Sequence, residues 1–213
     1  TGWCGDGLIG AFSQMIGKAL LDKDNKYFCL VSGSDVPVYK FAKTYSLITK
    51  FKKSRLYFPK QGKVLDGDST LYTGEQWVIL RRREAIDFKR LSDPNDTKAR
   101  AFLSNIRKMY LHNGVRFTKS EYVILDDDHG WLSGCPDEIY PINWFAYLYG
   151  NRLKKHLDNK ITTYTHWNIK IDPDHPLVLD LPNTKKNKNR VIKTGAIFAR
   201  KFTKEGADLM ALN

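Results

Sequence analysis

The chain has 213 residues, of which 42% are hydrophobic, and this is enough to bury the core of one domain. Lys and Arg number 35 against 23 Asp and Glu, giving a net charge of +12, which favours a phosphate-bearing or otherwise anionic partner. No apolar run approaches the roughly 20 residues of a transmembrane helix, and three widely spaced cysteines predict neither a zinc site nor a disulfide framework.

The hydrophobic pattern predicts helices that alternate with strands. Apolar side chains at helical spacing predict a helix over 7–22, and the run KYFCLV (26–31) predicts a short buried strand. The further elements expected are helices over 38–52 and 97–114, strands over 55–59, 76–82, 115–125 and 162–167, and a helix after residue 135. The polar tract 183–190 is expected to be a loop. This alternation indicates an α/β domain around a mixed sheet.

The segment CPDEIYPINWF (135–145) combines a helix start with two adjacent carboxylates. Acidic residues are favoured near the positive end of the helix dipole, so Asp137 and Glu138 suit the first turn of a buried helix. A carboxylate in that place also stays ionised at neutral pH, as a general base requires. The residues alone leave a capping role and a catalytic role open.

Six segments in chain order carry a resemblance to a known family. They are TGWCGDGLIGAFSQMIGKAL (1–20), YFCLVSGSDVPV (27–38), YTGEQWVILRRREA (72–85), CPDEIY (135–140), TYTHW (163–167) and DHPLVL…KTGAIFARKF (174–202). In this order and at these spacings the chain resembles the core-2/I-branching family of glycosyltransferases. That family includes branching N-acetylglucosaminyltransferases, peptide xylosyltransferases and plant glucuronosyltransferase-like proteins.

The resemblance implies a single glycosyltransferase domain over 1–213 with a GT-A-like (Rossmann-like) α/β fold, a mixed sheet flanked by helices. The family domain normally begins with a strand–helix–strand unit that grips uracil and ribose. This chain starts at Thr1-Gly2-Trp3, where that unit should already have ended. We therefore expect either a fragment that lacks the upstream nucleotide-binding unit or another element in its place.

The chemistry implied by the resemblance is inverting transfer of a sugar from a UDP-sugar to a hydroxyl of a glycan or glycoprotein acceptor, with a β-linkage as the product. The glutamate of the family's Pro-Asp-Glu segment is the catalytic base, and here it is Glu138. Asp137 is then an orienting or capping neighbour.

The resemblance also implies that no metal cofactor is used, because this family neutralises the leaving diphosphate with basic side chains. Lys201 matches the phosphate-binding lysine, and Arg200 is beside it. In some members an upstream arginine also grips phosphate, but this sequence has Leu177 there, so Arg190 or Lys193 is the candidate substitute.

Three acidic segments bear on metal binding. Asp66-Gly67-Asp68 and the tract 125–130 contain carboxylates that suit a hard cation, but solvated turns are the better interpretation of both. The usual metal motif of the fold should correspond to SGSDVP (32–37), where Asp35 is the one acidic residue. We expect Ser34 and Asp35 to lie near the donor in the central cleft.

The acceptor side is implied by two further segments. Glu75, Gln76 and Arg83 are candidates for substrate contacts, because the family's strand here runs along the acceptor side of the cleft. Trp167 matches the position where an aromatic ring packs against the acceptor sugar, although a buried core tryptophan is an equal alternative.

Two functions of other classes stay open. The charge and the mixture of basic and aromatic residues suit a nucleic-acid-binding module, but the basic residues are dispersed and no nucleic-acid motif is present, so no nucleic acid is expected as a partner. The other alternative is a catalytically inactive relative that binds glycans. Cellular relatives are Golgi membrane proteins, whereas few cysteines and no anchor in this chain leave a cytoplasmic or viral setting open.

Overall fold

The structure is a computed structural model that describes residues 7–58, 60–65, 69–112, 115–117, 122–124, 135–168, 170–171, 176–179, 184–204 and 206–207. The helices in these residues are α1 (Gly7–Ala19), α2 (Phe41–Thr49), α3 (Arg82–Arg90), α4 (Thr97–His112), α5 (Pro136–Tyr149), α6 (Leu153–His156) and α7 (Thr184–Thr194), with a 3₁₀ turn at Gly150–Arg152. The strands are β1 (Tyr27–Cys29), β2 (Val36–Pro37), β3 (Ser54–Leu56), β4 (Lys60–Leu65), β5 (Ser69–Thr73), β6 (Val78–Arg81), β7 (Val115–Phe117), β8 (Tyr122–Ile124), β9 (Leu157–Asp158), β10 (Thr163–Thr165) and β11 (Phe198–Arg200).

Two mixed sheets organise the described residues. The larger has the strand order β1-β6-β3-β9, with β6 antiparallel to both β1 and β3, and β3 parallel to β9. The smaller has the order β10-β11-β2, with β10 parallel and β2 antiparallel to β11. The pairs β4–β5 and β7–β8 are antiparallel hairpins.

The main core lies between the larger sheet and the helices α1, α3, α4 and α5. Helix α5 is its centre, because Ile139, Ile142, Trp144 and Phe145 are all fully buried. A helix that is buried on most of its circumference belongs to the interior of a fold rather than to its surface. The apolar run after Glu138 therefore builds the core of the fold.

Asn143 fixes α5 to the β4–β5 hairpin. Its side-chain amide accepts from the backbone N–H of Tyr72 at 2.9 Å and donates to the Tyr72 carbonyl at 2.8 Å. It also donates to the carbonyl of Ile139, one turn earlier in the helix, at 2.8 Å. These bonds satisfy a buried polar side chain and fix the middle of α5 relative to the strand that leads to Gly74.

A second core packs the smaller sheet against α7. Its buried members are Val38, Tyr164, Leu179, Val191, Ala196 and Ala199. The prediction of a loop over 183–190 is wrong, since α7 occupies most of this tract. Lys and Arg are good helix formers, and the buried Val191 anchors the polar helix to the core. Gly195 ends it with φ +75°, the conformation expected just beyond a helix C-terminus.

The mixed α/β class predicted from the sequence is confirmed, and the arrangement is consistent with a GT-A-like fold. The predicted helix after residue 135 and the strands over 26–31, 55–59, 76–82 and 162–167 all correspond to observed elements. Among the described helices, none combines the length and hydropathy needed to cross a bilayer.

Candidate active site

Glu138 lies in the first turn of α5. The helix begins with Cys135 as its N-cap, Pro136 follows as the first helical residue, and Cys135 makes no side-chain capping bond. The backbone N–H of Glu138 donates to the Cys135 carbonyl at 3.0 Å, and the Glu138 side chain is half-buried. The carboxylate thus stands at the positive end of the dipole of a buried helix.

Cys135 is disulfide-bonded, whereas Cys29 is a free and exposed thiol. The sequence predicts no disulfide framework, yet Cys135 takes part in a disulfide. Wide spacing along the chain carries no signal of pairing, because the pairing depends on the fold. The bond fixes the backbone directly before the Pro-Asp-Glu segment.

The loop of Gly74 and Glu75 lies against the start of α5. The backbone N–H of Gly74 donates to the Glu138 carbonyl at 2.8 Å, and the N–H of Glu75 donates to the Tyr57 carbonyl at 2.8 Å. A Cβ atom on Gly74 would lie 2.9 Å from the Tyr57 carbonyl oxygen, closer than such atoms approach. Glycine is therefore required where the end of β3, the loop and α5 meet.

This packing brings the side chain of Glu75 near that of Glu138. Burial, together with the negative charge on Glu138, raises the pKa of Glu75 to about 7. The Oε2 atom of Glu75 is buried and has no hydrogen-bond partner among the described residues. A carboxyl group that titrates near neutral pH beside a second carboxylate is the arrangement expected of groups that exchange protons with a substrate.

Asp137 is more deeply buried than Glu138, at 6% exposure. Burial raises the pKa of Asp137, and its Oδ1 atom finds no hydrogen-bond partner in the described part of the chain. It lies inside the first turn of α5 and not at the N-cap. Of the two adjacent carboxylates, Glu138 is thus the more accessible.

Asp35 and Arg200 form a second group of charges. The Oδ1 atom of Asp35 lies 3.5 Å from Nε of Arg200, and the Asp35 side chain is fully buried. The other oxygen of Asp35 accepts the backbone N–H of Ser32 at 2.7 Å. Burial raises the pKa of Asp35, while the bonds from Ser32 and the charge of Arg200 oppose that rise.

Trp77 connects the two groups. It follows Glu75 by two residues, and the guanidinium of Arg200 lies over its ring, 4.4 Å from the ring centroid. Its carbonyl accepts a bond from the Thr162 hydroxyl at 2.9 Å. The indole therefore supports Arg200 on one side while its backbone leads to the carboxylate pair on the other.

Ser34 and Lys201 lie next to Asp35 and Arg200 in the sequence and in the fold. The carbonyl of Ser34 accepts the Phe202 backbone N–H at 3.4 Å, so the turn before β2 meets the chain just after β11. Lys201 is half-buried, and its ammonium group makes no hydrogen bond or ion pair within the described residues. Arg200 is paired with Asp35, whereas Lys201 has no ion-pair partner within the described residues.

The proposed acceptor residues are dispersed. Gln76 is half-buried between Glu75 and β6. Trp167 is 51% exposed, so the alternative of a buried core tryptophan is wrong. Arg83 follows β6, at the opposite end of that strand from Glu75, and lines a different cavity. The structure does not bring Arg83 together with Glu138.

Metal ligation depends on His, Cys, Asp and Glu side chains that lie close together. No group of three His, Cys, Asp or Glu side chains suited to a metal ion occurs in the described ranges. Asp66, Asp68 and the tract 125–130 lie outside the described residues.

Two relationships in the site were not expected from the sequence. These are the proximity of Glu75 to Glu138 and the pairing of Asp35 with Arg200. Both join residues that are far apart in the chain, and no local pattern encodes them.

A comparison with protein families places the first part of the chain. Residues 2–64, which contain α1, β1, β2, α2, β3 and the Ser34–Asp35 turn, match the family model described as Core-2/I-Branching enzyme. No curated protein matches the chain. The match confirms the resemblance predicted from the sequence, and over residues 2–64 the chain is similar to the core-2/I-branching family of glycosyltransferases.

Proposed function

We propose that the chain is an inverting glycosyltransferase that moves a sugar from a UDP-sugar to a hydroxyl of a glycan or glycoprotein acceptor, without a metal ion. The observation that carries this proposal is the proximity of Glu75 and Glu138 at the start of α5. Glycosyl transfer with inversion needs a carboxylate that takes the acceptor's proton.

Glu138 is the base in this proposal. It accepts the proton of the acceptor hydroxyl while that oxygen forms a bond to the anomeric carbon. The bond between the anomeric carbon and the diphosphate oxygen breaks on the opposite face, and UDP leaves with the bonding electrons. The β-configuration of the product follows from this inversion. Asp137 is a neighbour that shapes the first turn of α5.

Glu75 is a partner of the acceptor in the same proposal. Because its pKa is about 7, a substantial fraction of Glu75 is protonated at neutral pH. A neutral carboxyl group both donates and accepts hydrogen bonds, which suits recognition of sugar hydroxyls. Gln76 and the exposed ring of Trp167 are the further acceptor contacts that we propose.

Lys201 stabilises the leaving diphosphate in this mechanism, and Arg200 adds a second positive charge. Charge develops on the leaving group in the transition state, so a cation placed beside that group accelerates the reaction. Metal independence is supported by the state of Asp35, whose oxygens already face Arg200 and the Ser32 N–H. Ser34 and Asp35 would then shape the donor side of the cleft.

The test is a transfer assay on the purified chain with EDTA present. UDP-xylose, UDP-glucose, UDP-glucuronate and UDP-N-acetylglucosamine are each offered with a panel of glycan and glycopeptide acceptors, and UDP release is measured. We expect one donor to support turnover, and Glu138→Gln to lower the rate by about 10²–10⁴-fold, the range for loss of a general base. The exposed Asp24 provides a control, and Asp24→Asn should leave the rate unchanged.

Two results would contradict the proposal. Turnover that requires added Mn²⁺ would overturn metal independence. Glycan binding without UDP release, unaffected by Glu138→Gln, would identify an inactive relative that binds glycans.

A further inference from the structure

A basic cavity lies at the opposite end of β6 from the candidate active site. It has a volume of about 510 Å³. Of the nine described residues that line it, six are cations: Lys26, Lys52, Arg81, Arg82, Arg83 and Lys155. They come from the start of β1, the segment before β3, the junction of β6 and α3, and α6. None of the predicted roles of the site accounts for this concentration of charge.

Among the described lining residues the one carboxylate is that of Glu84, and both of its oxygens have partners. Glu84 is only 4% exposed. Its Oε2 atom accepts the Ser54 hydroxyl at 3.0 Å, and its Oε1 atom lies 2.9 Å from Nδ1 of His156. The His156 ring is itself stacked on Tyr149, with 3.9 Å between the ring centroids. Glu84 therefore supports the wall of the cavity, and its carboxylate is not paired with the exposed cations.

Two of the cations are fixed by the backbone. The guanidinium of Arg82 donates to the carbonyls of Leu20, Asp22 and Asn25, each at 2.8 Å. The guanidinium of Arg81 donates to the Lys52 carbonyl. Because carbonyl oxygens are neutral, these bonds hold the positive charges in place without cancelling them.

The remaining cations keep donors that point to solvent. Lys26 donates one bond, to the Lys23 carbonyl at 3.0 Å, and its ammonium has two further donors. Lys52, Arg83 and Lys155 are exposed, and within the described ranges no carboxylate lies at salt-bridge distance from any of them. Like charges that converge without counter-charges raise the local potential and attract anions.

We propose that this cavity binds a compact polyanion that carries two or more tetrahedral oxyanion groups, as phosphate or sulfate esters. Lys and Arg are the side chains that bind such groups, Arg through its planar fork and Lys as a point charge. The volume lies within the range of small-molecule sites. The cations converge on a concave surface, whereas a nucleic-acid strand is bound along an extended basic track.

This site is separate from the proposed transferase site. Its lining contains neither of the carboxylates near α5 nor Lys201. Binding there requires no UDP-sugar, so it can be tested independently of the transferase reaction.

The experiment is calorimetric titration of the whole chain at about 0.15 M salt, where contacts between single exposed charges are largely screened. The probes are inositol hexakisphosphate and sucrose octasulfate. Tighter binding of the first would indicate a phosphate ligand, and tighter binding of the second a sulfate ligand. We expect one site per chain. The variant Lys52→Ala/Arg83→Ala/Lys155→Ala should weaken binding at least tenfold.

The matched control removes the same charges elsewhere. Lys98, Arg100 and Lys170 are also two lysines and one arginine, all exposed, and the triple alanine variant at these positions should bind like the parent chain. Thermal unfolding checks that both variants are folded. The single charge reversal Lys155→Glu provides a second test and should also weaken binding of the probe.

Several outcomes would overturn the proposal. These are no binding of either probe, an equal loss of affinity in the control variant, or displacement of the probe by excess UDP, which would place the probe in the donor site. Tighter binding of an oligonucleotide, with a steep salt dependence that is lost in both triple variants, would instead indicate a nucleic-acid surface.

Discussion

The carboxylate of Asp35 and the guanidinium of Arg200 lie 3.5 Å apart, and no hydrogen bond joins Oδ1 to Nε. The pair connects the turn before β2 to the end of β11, and Trp77 supports the guanidinium from one side. Arg200 is therefore already committed to a buried carboxylate, whereas Lys201 is not. The two adjacent cations are expected to behave differently when they are removed.

Lys201→Ala should weaken UDP binding by tenfold or more, because a charge-assisted contact to phosphate is worth about 1.5–3 kcal/mol. The free energy of unfolding should stay close to that of the parent chain, since the ammonium has no partner in the described part of the chain. Titration of UDP with EDTA present measures the affinity. Lys204→Ala, at an exposed lysine three residues away, is the control that should leave binding unchanged.

Arg200→Ala should lower the stability of the fold as well as UDP affinity. It leaves Asp35 buried without its counter-charge, and we expect a loss of about 2 kcal/mol, below the usual value for a buried pair because no hydrogen bond is made. Urea unfolding gives this loss. Adding Asp35→Asn to Arg200→Ala removes the unpaired negative charge of Asp35 and should restore part of the lost stability. If no stability is restored, the buried carboxylate of Asp35 is not the cause of the loss.

Gly74→Ala should destabilise the fold, because its Cβ would lie 2.9 Å from the Tyr57 carbonyl oxygen. The backbone must shift at the place where the loop contacts the start of α5, at an expected loss of about 2 kcal/mol. Gly10→Ala is the matched control: Gly10 lies in α1 with no atom within 4 Å of the added Cβ, so this change should stabilise the helix by about 0.5–1 kcal/mol. Equal effects at both glycines would contradict the close approach.

The pKa of Glu75 predicts how stability depends on pH. The group has a pKa of about 7 in the fold against 4.5 as its ordinary value, so between these values the folded state binds more protons than the unfolded state. The free energy of unfolding should therefore fall as pH rises from about 4.5 to 7, by at most about 3 kcal/mol from this group.

Glu75→Gln should remove that component, which urea unfolding at pH 5 and pH 7.5 measures in both proteins. The parent chain should lose more stability over this interval than the variant does. A variant that shows the same pH dependence as the parent would place the titration on another group.

The sequence predicts the elements with strong local patterns and misses relationships that depend on the fold. Helix α5 was expected because its apolar residues and its Pro-Asp-Glu start are adjacent in the chain. Helix α7 was missed because its tract is polar apart from Val191 and Ile192. Its buried face is defined only by packing against the second core. The hydrophobic pattern of a single sequence carries little information about such packing between distant segments.

The candidate site shows the same division. Glu138 and Lys201 were selected from short motifs, and the structure places them in different groups of residues that Trp77 connects. The proximity of Glu75 to Glu138 depends on a loop that contacts α5 from more than sixty positions away, through the Gly74–Glu138 hydrogen bond. Such contacts are set by the topology of the chain and not by the composition of either segment.

The hydrogen bonds of Asn143 have a consequence for the dynamics of the proposed base. They tie the middle of α5 to Tyr72, and the bond from the Gly74 N–H to the Glu138 carbonyl holds its first turn, so this end of the helix cannot fray without breaking bonds to the hairpin and its loop. The amides of Ile142–Phe145 should accordingly exchange with solvent deuterium only through global unfolding. Glu138 would then keep its place in the first turn of α5 while these bonds are intact, and substrates would meet a base that is already in place.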